Sequence, residues 1–212
     1  MSVLRVNPTR MELTTMKRRL ATARRGHKLL KDKRDELVRR FILIARENAS
    51  LREQVEQALG GALRDFALAS AVMEPGALYQ ALLYPARQAA LTMGRRNILS
   101  VRVPVFSMDE ESLGKAVLPY GLAETSAQLD GAIETMSQAL PLLIKLAETE
   151  KTSSLLADEI QKTRRRVNAL EYVMIPQFEE TIRYITMKLD ENERGALTRL
   201  MKVKDMIAER AT

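Results

Sequence analysis

His27 is the single histidine of this 212-residue chain, and there is no cysteine. Zinc and thiol chemistry need several imidazole or thiolate groups brought together, so neither is open to this sequence. Gly114-Lys115 resembles the end of a phosphate-binding loop. Asp109 stands where that loop's first glycine belongs, however, and Ala116 follows the lysine instead of Ser or Thr. The adjacent carboxylates Asp158-Glu159 and Glu179-Glu180 fall on predicted helical surface, where solvated faces are expected rather than acid–base pairs. The sequence therefore predicts no catalytic residue, no metal and no cofactor.

Cations are the distinctive chemistry. Residues 10–46 hold 13 basic and 4 acidic side chains, whereas residues 73–124 hold 5 of each and residues 125–212 hold 13 and 14. The net charge of +7 is thus placed in the first part of the chain. Such a stretch, which includes Arg10, Lys17, Arg18, Arg24, Arg25, Lys28 and Lys31, calls for an acidic partner. Nucleic acid is one reading. Against it stand the scarcity of aromatics for base stacking (four Phe, five Tyr, no Trp) and the spread of charge around the helix. A solvated or protein-facing surface is favoured. A nucleic-acid-binding or scaffold coiled coil is the alternative.

These charges must ride on long helices. From residue 13 to 58 apolar positions recur in steps of three and four: Leu13, Met16, Leu20, Ala23, His27, Leu30, Arg34, Leu37, Phe41, Ile44, Asn48, Leu51, Val55, Ala58. That is a heptad seam, made for a partner helix. His27, Arg34 and Asn48 read as polar layers that fix register; proton sensing by His27 is the lesser reading. Thr9 with Glu12 forms a capping box at the start. Gly26 inside the helix predicts a close approach by the opposing helix, and Gly60-Gly61 a bend or another close approach.

A second helix is expected over residues 124–210, with a seam through Leu156, Ile160, Thr163, Val167, Leu170, Met174, Phe178, Ile182, Ile185, Leu189, Leu197, Leu200 and Ile207. Between Leu170 and Ile182 three steps of four occur in a row, a stutter that unwinds the coil, and Pro176 inside it predicts a kink. Pro141 predicts an earlier interruption or kink. Val167 and Leu170 are seam residues, and Arg164, Arg165 and Arg166 flank them. Residues 97–106 read as one strand with Pro104 near its edge or end, residues 109–114 as a turn, and residues 115–118 as a second short strand.

The fold class expected is mainly α: a long antiparallel two-helix coiled coil with a small mixed middle region. The expected parts are an N-terminal helix over 9–72, a middle region with a short helix and β-hairpin over 73–123, and a C-terminal helix over 124–210, in one elongated unit. The two termini would lie together at one tip. The absence of an apolar N-terminal signal core and of any run of eighteen apolar residues predicts a cytosolic protein without its own membrane span.

Three motifs in one order resemble a known family. They are Asn7-Pro8-Thr9-Arg10, the run from Gly26-His27-Lys28-Leu29-Leu30 through Lys31-Asp32-Lys33-Arg34-Asp35-Glu36-Leu37, and Arg165-Arg166-Val167-Asn168-Ala169-Leu170-Glu171. Together they resemble the D subunits of the V-type (archaeal/vacuolar) ATPases. The resemblance implies a non-catalytic central rotor axle, cytoplasmic and peripheral to the membrane. It implies as partners the catalytic A and B subunits of the head, the small F subunit and the subunit linking the axle to the membrane ring, with neither nucleic acid nor the bilayer bound directly. The basic residues named above become candidates for contact with the head. Gly60, Gly61, Leu63 and Phe66 become candidates for docking the F subunit.

Overall fold

The structure, a computed structural model, describes residues 4, 6–83, 90–108, 118, 120–121 and 125–211, without the side chains of 208–211. Its elements are α1 (Arg10–Val72), α2 (Pro75–Leu82), β1 (Leu91–Ile98), β2 (Val101–Met108), α3 (Ala127–Ala169), a π-helical turn (Leu170–Met174) and α4 (Ile175–Ala211). The turn expected over residues 109–114 and all but Leu118 of the second strand expected over 115–118 lie outside the described residues, and Leu118 is in no strand.

Helix α1 starts where the cap predicts. The Glu12 amide donates to Thr9 Oγ1 at 3.2 Å, while the Thr9 amide donates to the Asn7 carbonyl at 2.9 Å. The threonine half of the capping box is thus formed, and the Asn7 carbonyl takes the amide that Glu12 would have served. All fourteen seam positions from Leu13 to Ala58 are buried or half-buried, His27, Arg34 and Asn48 included. Helix α1 continues through Gly60-Gly61 without a break.

The chain forms two compact units. The first comprises Met1–Asp35 with Gln161–Thr212. Its helical segments run antiparallel: Arg10 pairs with Glu193, Arg24 with Glu179 at 2.7 Å, and His27 with Glu171 at 3.3 Å. Met16, Phe178 and Ile185 form its core, with Leu13, Leu20 and Ile182 packed around them. Thr181 is fully buried and satisfied, donating to the Gln177 carbonyl and accepting from the Leu4 amide.

The second unit is Glu36–Ile160. Here too the helices are antiparallel, with Glu47 against Lys145 and Arg52 against Glu150. One core joins Leu37 and Leu156 to Val101 and Val103 of β2. A second joins Ala69, Met73, Ala81 and Leu129, with Leu78, Tyr120 and Ile133 beside them. Tyr120 donates to Asp130 Oδ1 at 2.7 Å. Burial, and then the Asp130 carboxylate, hold that phenol well above its usual pKa.

Several expectations are corrected. The residues read as one strand, 97–106, contain the hairpin turn: β1 and β2 pair antiparallel from Ile98↔Val101 to Leu91↔Met108. Leu99 and Ser100 close the turn at φ 50° and 74°. Both central residues are left-handed, as a tight two-residue hairpin loop requires, but neither is the Asn or Gly that normally signals it. A Cβ at Gly26 or Gly60 would meet nothing within 4 Å, and one at Gly61 would touch Thr135 at an ordinary 3.9 Å, so no close approach explains these glycines. Helix α3 runs through Pro141, so of the interruption or kink expected there the interruption is absent.

At Pro176 the response is a π turn directly before it. The Ile175 amide bonds to the Leu170 carbonyl, five residues back. That turn takes up the residue by which the stutter exceeds a heptad. It also turns Met174 outward, 42% exposed, although the seam pattern places it inside. Past Leu189 the predicted seam is not covered: Leu197, Leu200 and Ile207 are 56%, 65% and 63% exposed.

Candidate subunit-contact surfaces

Among the described residues no cluster of His, Asp or Glu could hold a metal, and no helix is long and apolar enough to cross a membrane. What the molecule presents instead is a set of surfaces.

The basic face of α1 comes first. Arg10, Lys17, Arg18, Arg24, Arg25, Lys28 and Lys31 are all exposed. Two of the seven are used within the first unit, Arg10 by Glu193 and Arg24 by Glu179. Lys17, Arg18, Arg25, Lys28 and Lys31 form no ion pair among the described residues. Exposed pairs such as Arg24–Glu179 add little to stability. Their effect is to hold a guanidinium in place rather than to hold the fold.

The polar seam residues behave differently from one another. His27 is 21% exposed at its side chain and faces Glu171, the last residue of the third motif. Two separate motifs are thereby brought into contact. Arg34 turns to its neighbour Asp35, at 2.7 and 2.9 Å. Asn48 is half-buried in the second unit. In the third motif Val167 is buried and Leu170 half-buried, while Arg165, Arg166 and Asn168 point outward with Arg164.

Around Gly60 and Gly61 helix α1 has a divided surface. Ala62 and Ala69 are buried. Leu63, Phe66, Leu68 and Val72 are exposed by 59%, 37%, 53% and 73%. Large side chains outward and alanines inward reverse the usual order of a monomeric helix. The sequence signal was the run of small residues, which locates the stretch without saying which large residues face out.

Sequence reasoning missed two other apolar surfaces. One is Tyr172-Val173-Met174, 67%, 49% and 42% exposed on the π turn. Only the stutter hinted at it, since an uninterrupted α-helix would have turned one of the three inward. The other is the outer face of the hairpin, hidden from the sequence because the strand boundaries were misplaced.

Known proteins match this chain in sequence over nearly its whole length. Residues 12–205 match the family of ATP synthase D subunits. The D subunit of the V-type ATP synthase of Acetivibrio thermocellus is 58% identical over 212 residues, covering 100% of this chain and 96% of that one. That of Clostridium botulinum strain Langeland is 57% identical over 209 residues, 98% and 97% of the two chains. That of Thermoanaerobacter sp. strain X514 is 54% identical over 207 residues, 98% and 99%. With the match running through both helical units and the hairpin, the chain belongs to the ATP synthase D-subunit family and is a V-type ATP synthase subunit.

Proposed function

We propose that this subunit is the central stalk of its complex, a non-catalytic rotor axle. It couples ATP hydrolysis or synthesis in the A/B head to proton or sodium movement through the membrane ring. The F subunit and the subunit joining the axle to the ring are its further partners, and the complex is peripheral to the membrane on the cytoplasmic side. The observation that carries this reading is full-length membership of the D-subunit family. A long helix on which five of the seven named cations form no ion pair among the described residues supports it.

In mechanical terms the axle must present different surfaces to equivalent catalytic sites, because a symmetric shaft would bias none of them. The π turn and the net positive charge concentrated on α1 rather than on the second helical stretch supply such differences. Arg25, Lys28 and Lys31 are assigned to the head, and Gly60, Gly61, Leu63 and Phe66 to the F subunit. The test is coupled ion pumping by the complex carrying Arg25→Glu, Lys28→Glu and Lys31→Glu together. Loss of pumping relative to ATP hydrolysis, or failure to assemble, is expected. Unchanged coupling would reject the head assignment. A native pull-down lacking the A and B subunits would reject the stalk itself.

A further inference from the structure

The hairpin has one face that packs into a core and one that is only partly covered. Ile98, Val101 and Val103 share the face that meets Leu37 and Leu156. The opposite face carries the cross-strand pairs Leu91↔Met108, Met93↔Phe106 and Arg95↔Pro104. An antiparallel sheet covered on one side normally turns polar residues to water on the other. Here Leu91 and Met93 are 50% and 65% exposed, and Pro104, Phe106 and Met108 are half-buried beside them.

A cavity of about 500 Å³ opens on this face. Met93, Pro104 and Phe106 line its apolar part, and Arg95, Arg102 and Lys151 of α3 supply charge. Among the described residues no carboxylate lines it. Glu148 of α3 is committed to the Phe106 amide at 2.9 Å, which ties the outer edge of β2 to the helix. Among the described residues Arg95, Arg102 and Lys151 form no ion pair. Cations on an edge strand have an ordinary use in preventing edge-to-edge pairing. That use explains basic residues, but not large apolar residues left on the same face.

We propose that the outer face of this hairpin docks an acidic segment with an apolar anchor, supplied by another polypeptide of the complex. The anchor fills the cavity over Met93, Pro104 and Phe106. Its flanking carboxylates pair with Arg95 and Arg102, whose planar guanidinium groups bind such groups in bidentate fashion. The inference rests on membership of the complex and not on the stalk role.

The test is photo-cross-linking in the intact complex, purified through a catalytic subunit, with p-benzoylphenylalanine at position 93. The expected product joins this chain to another subunit, at a segment in which Asp or Glu flanks an apolar residue. Arg95→Glu with Arg102→Glu should lower the yield at least fivefold. Arg96→Glu, on the opposite face, should leave it unchanged. If the double reversal does not enter the complex, salt dependence of the unsubstituted arginine protein is read instead. Raising ionic strength from about 0.05 to 0.5 M should then cut the yield severalfold. A cross-link confined to this chain, an adduct with nucleic acid, a segment without carboxylates, no cross-link, or a yield indifferent to charge and salt would each overturn the proposal.

Discussion

Gly26 is the plainest case at the scale of single residues. Glycine inside a helix costs about 1 kcal/mol relative to alanine. A Cβ there would meet nothing within 4 Å. Gly26→Ala should therefore raise stability by about 0.5–1 kcal/mol, read as an upward shift of the urea midpoint without a change in slope. A loss would mean that the glycine serves the folded chain in some other way. The hairpin turn gives a second case. Leu99 and Ser100 both hold positive φ, which costs an L-residue with a side chain roughly 1–2 kcal/mol each. Leu99→Asn with Ser100→Gly supplies the preferred pair for such a loop. It should increase protection of the β1 and β2 amides in hydrogen exchange. The same pair explains what the sequence concealed. Turns are read from Gly and Asn, and a Leu-Ser turn between β-branched residues looks like more strand. His27, in contrast, was legible in part: its half-buried seam position follows from the heptad, but its partner Glu171 lies 144 residues away and comes only with the fold.

Periodicity succeeds for the helices because each heptad step is a local statement about which side is covered. All fourteen seam positions of α1 obey it. In the second helical stretch, spacing located the irregularity but not its form. Leu170 and Phe178 are eight residues apart where a heptad allows seven, and the π turn absorbs the extra residue. Deleting Val173 together with Pro176→Ala should let an unbroken α-helix form with Phe178, Ile182 and Ile185 still facing the core. Deleting Thr186 instead would rotate everything beyond it by roughly 100° and remove Leu189 from the seam. Thermal melts followed by circular dichroism should show the first variant within about 1 kcal/mol of the parent and the second clearly less stable. Equal loss in both would mean that the π turn is itself needed for stability. The same variant separates folding from mechanism, since it removes the outward Tyr172-Val173-Met174 surface while sparing the core.

For the whole molecule, the division is between surface that holds the fold and surface held in reserve. The heptad predicts a seam out to Ile207, but periodicity says nothing of where the partner helix stops. Helix α1 begins at Arg10, and Arg10 already meets Glu193. Beyond that pair Leu197, Leu200, Met201, Val203, Met206 and Ile207 are all about half exposed or more. Nothing in the first unit's core depends on them; that core ends with Ile185 and Leu189. Removing residues 196–212 should therefore leave the unfolding free energy within about 0.5 kcal/mol, as for surface changes away from packed features. The solubility of the free subunit should rise, because the deletion removes Leu197, Leu200, Met201, Val203, Met206 and Ile207 from its exposed surface. Assembly should respond in the opposite direction. If this segment waits for another subunit, the truncated chain will enter the complex less well despite its undiminished stability, which size-exclusion chromatography of reconstituted complexes can read. A truncation that unfolds more easily would place residues 196–212 in the folding unit instead. One that assembles as well as the parent would leave their exposed apolar stripe without a partner.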